Sequence, residues 1–399
     1  MRDAQLGARG RGRLRGIALG VAMGLSNAIS YLLVALLSRS LGPADFGGYS
    51  ALSTVGILLA IPAGAFQLAI ARRQHSPGAP SGLGASLAVG AGLAALTAAV
   101  AVPLADALDL DSSWAVVFLA LTLVPMTTSG ALQGVLLGQE RLRPLALSFL
   151  LVAGGRLVAV VVAVAVDLST SGVFGALLVG NTIAGLATWL LARPALRRAG
   201  GDGRVLADVT RASGALLVFM ALTGVDVLLA RNYLSPEDSG GYALTATFAR
   251  ALCWGTQFVV LLVIPRMARD ARGRAQLRAV GVVLGLGLLA LAVVLPTPGT
   301  WIRVAGGEDY VGYQRLLLGS LVVGILWAMI QVLLLADAGG TPRLAIITTG
   351  VLTAQVAAVA LWWHHSTWEI LWTTAGAAAT VLAVGLLSLR PGSSAPSPR

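Results

Sequence analysis

The chain has 399 residues, 57% of them hydrophobic and 11% charged, and its mean hydropathy is +0.84. A water-soluble fold of this length cannot hide so much apolar surface, and the apolar runs are continuous instead of alternating, which excludes a transmembrane β-barrel. All 28 basic residues are arginine and the single cysteine is Cys253, which excludes P-loop and Schiff-base lysines, a disulfide framework and a thiolate metal site.

Residues 1–15 carry Arg2, Arg9, Arg11, Arg13 and Arg15 and read as a cytoplasmic tail. The apolar stretch behind them is too long for a signal peptide, and no small-x-small cleavage site ends it. Helices are then predicted at 16–38, 46–70, 82–104, 113–137, 144–166, 171–192, 213–233, 241–264, 277–296, 312–336, 343–364 and 367–390. Each is near the ~20 residues that cross a hydrocarbon core. The longest loops, Pro194–Arg211 and Pro296–Val311, are too short for a catalytic domain. Residues 391–399 are Pro/Ser-rich and predicted to be disordered.

The loops alternate in charge. One side takes the N-terminal arginines, Arg72, Arg73, Arg141, Arg143, Arg193, Arg197, Arg198, Arg204, Arg211, Arg266, Arg269, Arg272, Arg274, Arg278, Arg343, Arg390 and Arg399. The other takes Asp106, Asp109, Asp111, Asp167, Glu237, Asp238, Glu308, Asp309 and Glu369. Arginines mark the cytoplasmic side, so both termini are expected there. The net charge of +11 is then a topology signal, and no nucleic-acid partner is expected.

An internal repeat divides the chain. Leu41-Gly-Pro-Ala-Asp-Phe-Gly-Gly-Tyr49 recurs as Leu234-Ser-Pro-Glu-Asp-Ser-Gly-Gly-Tyr242. The expected organisation is an N-terminal bundle of six helices at 16–198, a cytoplasmic linker at 199–212 and a C-terminal bundle of six at 213–390. The halves have the same orientation, a parallel repeat about the membrane normal. Within the repeated loop, Pro43 is expected to end the first helix and Gly47-Gly48 to allow re-entry into the second. Tyr49 and Tyr242 are expected at the interface belt.

Three charges fall near mid-span: Arg156, Asp226 and Arg250. Such charges face a bundle interior or a wet cavity. Arg250 lies roughly 14 Å from the nearer end of its predicted span, at 1.5 Å per residue, too deep to snorkel. It either pairs with Asp226 or offers forked donors to a phosphate group. Thr247, Arg250, Trp254 and Gln257 make one helical stripe suited to a phospho-sugar. Asn27, Gln67, Asn181 and Gln355 suit helix–helix hydrogen bonds or, more weakly, ligand contact. Arg156 follows Gly154-Gly155, where another helix can come close. His364 and His365 sit among Trp362, Trp363 and Trp368 as part of an interface belt, with no further ligands for a metal.

The segment Leu37-Ser-Arg-Ser-Leu-Gly-Pro-Ala-Asp-Phe-Gly-Gly-Tyr49, followed by a second helix and Ala71-Arg-Arg, resembles the polysaccharide transporter (Wzx-type) family of the multidrug/oligosaccharidyl-lipid/polysaccharide (MOP) flippase superfamily. Arg39, Leu41, Gly42, Pro43, Phe46, Gly47 and Tyr49 supply that family's loop between helices 1 and 2; in the second copy Ser239 replaces the Phe. The resemblance implies a MATE-like two-bundle fold working by alternating access. Its implied substrate is an oligosaccharide linked to a lipid, undecaprenyl diphosphate. It further implies a bacterial plasma membrane, bilayer lipids and other polysaccharide-assembly proteins as partners, and no cofactor, an ion gradient or the membrane potential being the driving force. The alternative is a MATE-like exporter of small molecules, although a cationic-drug exporter should carry an acidic cavity. A major facilitator is disfavoured by the loop Ala71-Arg-Arg-Gln-His-Ser-Pro-Gly-Ala-Pro80, which lacks that family's G-x-x-x-D-R-x-G-R-R pattern. No enzyme activity is expected.

Overall fold

The computed structural model describes residues 2–74, 81–196, 205–256, 274–337 and 343–388. The arginine-rich loop at 266–272, the first part of the predicted linker and the tail at 391–399 lie outside them. The protein is an all-α polytopic membrane protein. Nine of the described helices are long and apolar enough to cross a membrane, or ten if the bent pair Leu83–Ala99 and Ala101–Ala107, with 63° between its halves, is one span. The stretch Leu19–Arg73 holds two of the predicted spans. The eighth predicted span is described only as the helix Pro236–Gly255 and its cap Thr256.

The first helix is continuous from Arg2, and its register breaks at Gly42, whose φ of 71° and ψ of 172° are non-helical. That backbone suits glycine, and Pro43 then fits the first turn of the next helix, where no amide donor is needed. The re-entry expected at Gly47-Gly48 is therefore made at Gly42, and the glycine pair is helical.

The chain divides into two compact units: residues 1–41 with 55–214, and residues 42–54 with 215–399. In the first unit the Trp114–Gly138 helix is central, packed by Ile61–Arg73, Leu83–Ala99 and Thr170–Leu196. Gly130, Gly134 and Gly138 form a stripe along it. A Cβ at Gly134 would stand 2.8 Å from the Gln67 carbonyl oxygen, and one at Gly138 2.6 Å from that of Ala71. Small residues at this spacing let helix backbones touch, which is how helices associate when lipid offers no hydrophobic drive. In the second unit Gln314–Asp337 is central, packed by Pro236–Gly255, Arg274–Val294 and Thr367–Ser388. Second, third and sixth helices thus surround the fourth in each unit, so the repeat is legible in the packing.

The seventh helix starts at Val205, earlier than predicted. Val205 and Val209 join the core around Phe66, Ile70, Leu132 and Leu136, and Arg73 pairs with Asp208 at 2.5 Å. The later part of the predicted linker is therefore a helix seated on the first unit.

Candidate functional site

The predicted span 213–233 is two helices. Val205–Leu222 ends, Thr223 and Gly224 turn, and Val225–Tyr233 begins. At the turn the Val227 amide donates to Gly224 O at 3.2 Å, so the Thr223 carbonyl lacks its ordinary partner four residues on. A free carbonyl at membrane depth is costly unless another group satisfies it. Arg250 does so, its Nε donating to Thr223 O at 3.1 Å. Its Nη2 is buried and has no hydrogen-bond partner among the described residues.

Asp226 follows the turn and is 1% exposed. Its Oδ2 accepts from the Tyr242 hydroxyl at 3.1 Å, while Oδ1 has no hydrogen-bond partner among the described residues. The Arg250 charge bears on this carboxyl group, yet Nε is turned to Thr223 and no ion pair with Asp226 is closed. The result is a guanidinium and a carboxyl group held near one another at a helix break, each with a polar atom that has no partner among the described residues. Discontinuous helices of this kind are where membrane transporters place polar ligands.

The predicted stripe is partly filled in. Thr247 donates to its own helix at Ala243 O, 2.9 Å away. Trp254 meets Phe219 edge-on, with centroids 5.9 Å apart. Gln257 lies outside the described residues. In the first unit, Arg156 is half-buried, and its Nε has no hydrogen-bond partner among the described residues. Beside it a Cβ at Gly155 would meet Gly180 O at 3.0 Å, so the helix Thr170–Leu196 does approach closely there. Asn27 is exposed on the first helix, and Gln67 is half-buried. Asn181 donates to its own helix at Leu177 O, and Gln355 donates to Thr374 Oγ1 at 3.0 Å. His364 stacks between Tyr233 and His365, with centroids at 4.8 Å and 4.5 Å.

A second constellation lies at the repeated loop, whose two copies meet inside the second unit. A Cβ on Gly240 would strike the Pro43 carbonyl oxygen; one on Gly47 would strike Ser239 Oγ and stand 3.2 Å from Pro236 O. Each glycine thus receives the proline peptide of the other copy, the reciprocity expected of an isologous contact. Ser239 replaces a Phe of the first copy because its small side chain fits against Gly47. That Phe46 is fully buried, edge-on to Tyr310 with centroids at 6.2 Å. Arg231 donates from Nη1 to Ala44 O at 3.1 Å and to Ser239 Oγ at 3.3 Å. Tyr313 donates to Asp238 at 2.9 Å. Tyr49 and Tyr242 are buried, 7% and 1% exposed, instead of lying in an interface belt. Thr223, Gly224 and Arg231 escaped the sequence reading. The Thr-Gly pair inside an apolar run was the available signal, since it marks a place where a helix can part.

No family model matches the chain, and no curated protein does. Solved structures match over nearly its whole length. "Lipid II flippase MurJ, inward closed conformation" aligns with a TM-score of 0.73 at 11% identity, covering 93% of this chain and 87% of that one. An inward-facing multidrug resistance MATE family transporter of the MOP superfamily aligns with 0.72 at 12%, covering 94% and 98%. The eukaryotic MATE transporter AtDTX14 aligns with 0.63 at 14%, covering 94% and 93%. The chain therefore has the fold of the MOP superfamily transporters.

Proposed function

We propose that this protein is a flippase that moves a lipid-linked oligosaccharide, carried on undecaprenyl diphosphate, outward across a bacterial plasma membrane by alternating access. The observation that carries the reading is Arg250. Its guanidinium is held at a helix break by one nitrogen, leaving Nη2 as a buried donor without a partner among the described residues. A fixed cation with free donors suits a diphosphate, whose oxygens accept forked hydrogen bonds. Thr247 and Trp254, on the same helix, suit the adjoining sugar, and Gln257, Arg156 and Asn27 remain candidates for further contacts. The shared fold with a lipid II flippase supports the substrate class. Transport is driven by an ion gradient or the membrane potential, without a cofactor and without enzymatic chemistry. Both termini are cytoplasmic, and other polysaccharide-assembly proteins are the expected partners. Export of small molecules is the second reading, favoured by the similar fold of a multidrug transporter; a cation at the break argues for anionic cargo in either case.

The test is complementation of a strain that lacks its surface-glycan flippase, with membrane-inserted protein measured in parallel. Arg250→Ala at normal protein level should abolish surface glycan. Arg250→Lys keeps the charge but loses the fork, and should restore it in part. Full complementation by Arg250→Ala would remove the diphosphate assignment.

A further inference from the structure

The short helix Val225–Tyr233 touches both constellations. At its start is the break, where Arg250 holds the Thr223 carbonyl. One residue into it, Asp226 accepts from Tyr242, the last residue of the second loop copy. Further along, Arg231 donates to Ser239 within that copy and to Ala44 within the first. The break itself abuts the first copy's segment, since a Cβ on Gly224 would stand 2.8 Å from Thr54 Cγ2. Every partner here belongs to the second unit, which includes residues 42–54.

We infer that Val225–Tyr233 is a strut through which occupancy of Arg250 by an anion controls whether the two loop copies stay clasped. This rests on the reading of Arg250 as the diphosphate contact. A phosphate takes Nη2 first, and completing the fork draws on Nε, which the Thr223 carbonyl holds. A diphosphate that draws Arg250 away leaves Thr223 O without its donor, so the break must re-form its helical bonds or shift. Asp226 and Arg231 ride on the helix that begins there. Any rotation of it withdraws the acceptor from Tyr242 and the donor from Ala44 and Ser239 together. The glycine contacts of the clasp leave no slack to absorb that movement, because Gly47 and Gly240 are already in backbone contact with the opposite copy. The segment 42–54 is then released. Tyr242 and Arg231 are positioning residues in this scheme, and neither touches the substrate.

The test reads the clasp by disulfide formation. Ala44→Cys with Ser239→Cys places two thiols across it, where Arg231 bridges the two copies, and leaves both close-packed glycines in place. The native Cys253 is fully buried and does not compete. Cross-linking rate is measured on the full chain in membranes, with and without farnesyl diphosphate as probe. Its binding is measured separately. Bound diphosphate should slow cross-linking about five-fold or more, the lower end of ordinary coupling between sites. Arg250→Gln should slow it without ligand and lose the response. Tyr242→Phe keeps the ring and Arg250 but leaves only the Arg231 link, so it should still bind the probe while its cross-linking responds less than that of the parent. An unchanged wild-type rate at saturating bound probe would overturn the strut, as would a wild-type response in Tyr242→Phe. If the probe does not bind, the diphosphate reading fails instead; the unliganded Arg250→Gln rate then decides for the strut if slowed and against it if unchanged.

Discussion

Glycine does two different jobs in this chain, and the difference is measurable one residue at a time. At Gly240 a methyl group would collide with the Pro43 carbonyl, and backbone cannot step aside as a side-chain tip can. Gly240→Ala should therefore destabilise the protein by about 1–3 kcal/mol, the usual range for overpacking. At Gly376 a Cβ would meet nothing within 4 Å, and the residue lies inside the helix Thr367–Ser388. Gly376→Ala should be neutral or stabilising by up to about 1 kcal/mol, the helix-propensity difference between the residues. Thermal unfolding in detergent separates the cases: the first variant should melt below the parent, the second at or above it. The same contrast limits what the sequence could say. Gly47 and Gly48 sit side by side and look alike in a one-dimensional reading. Only the fold reveals that Gly42 makes the turn while Gly47 makes room for another backbone.

The elements were legible where composition alone defines them, because an apolar run of spanning length has few alternatives in lipid. The interruption of the seventh helix was not, because Thr223 and Gly224 are too apolar to break the run and the group that satisfies the freed carbonyl, Arg250, lies 27 positions on. Polar contacts between helices were foreseeable in kind. Gln355 and Thr374 join the last two helices with a 3.0 Å hydrogen bond, while Gln355 Oε1 has no partner among the described residues. An asymmetry follows. Thr374→Val leaves a buried amide donor without its acceptor and should lower stability by about 0.6–1.7 kcal/mol, the span measured for such bonds in membranes. Gln355→Leu removes the bond and the orphaned oxygen together, so it should cost less. Paired melting curves check the order; a larger loss in Gln355→Leu would mean that the amide is satisfied by something else.

For the molecule as a whole, arginine placement carries the orientation. Reporter fusions after Arg399 and in the loop holding Asp106, Asp109 and Asp111 should lie on opposite sides of the membrane, the first cytoplasmic. Signals from one side would refute the topology. The candidate site was legible in part. Asp226 and Arg250 stood out because charge at mid-span is rare. Their relation did not, since proximity alone suggested an ion pair, whereas the guanidinium is drawn to a carbonyl that only the helix break exposes. Tyr242 was read as an interface residue because aromatic residues near span ends usually are; it is buried against Asp226, on a helix whose first turns bring the second copy of the loop inward onto the first.

That inward fold has a consequence for how the chain is made. Residues 42–54 are synthesised long before the rest of the unit they belong to, whose other members begin at residue 215. Their partners Arg231, Ser239 and Gly240 emerge almost two hundred residues afterwards. At ordinary translation speeds the early hairpin tip therefore waits roughly ten to forty seconds with its Phe46 and its close-packing glycines unmatched. The first unit can assemble during that interval around the Trp114–Gly138 helix, but the second cannot be completed from its own half of the gene. Duplication has given two similar halves, and the exchange of thirteen residues makes them dependent: the later half finishes folding only by taking back a piece that the ribosome delivered first.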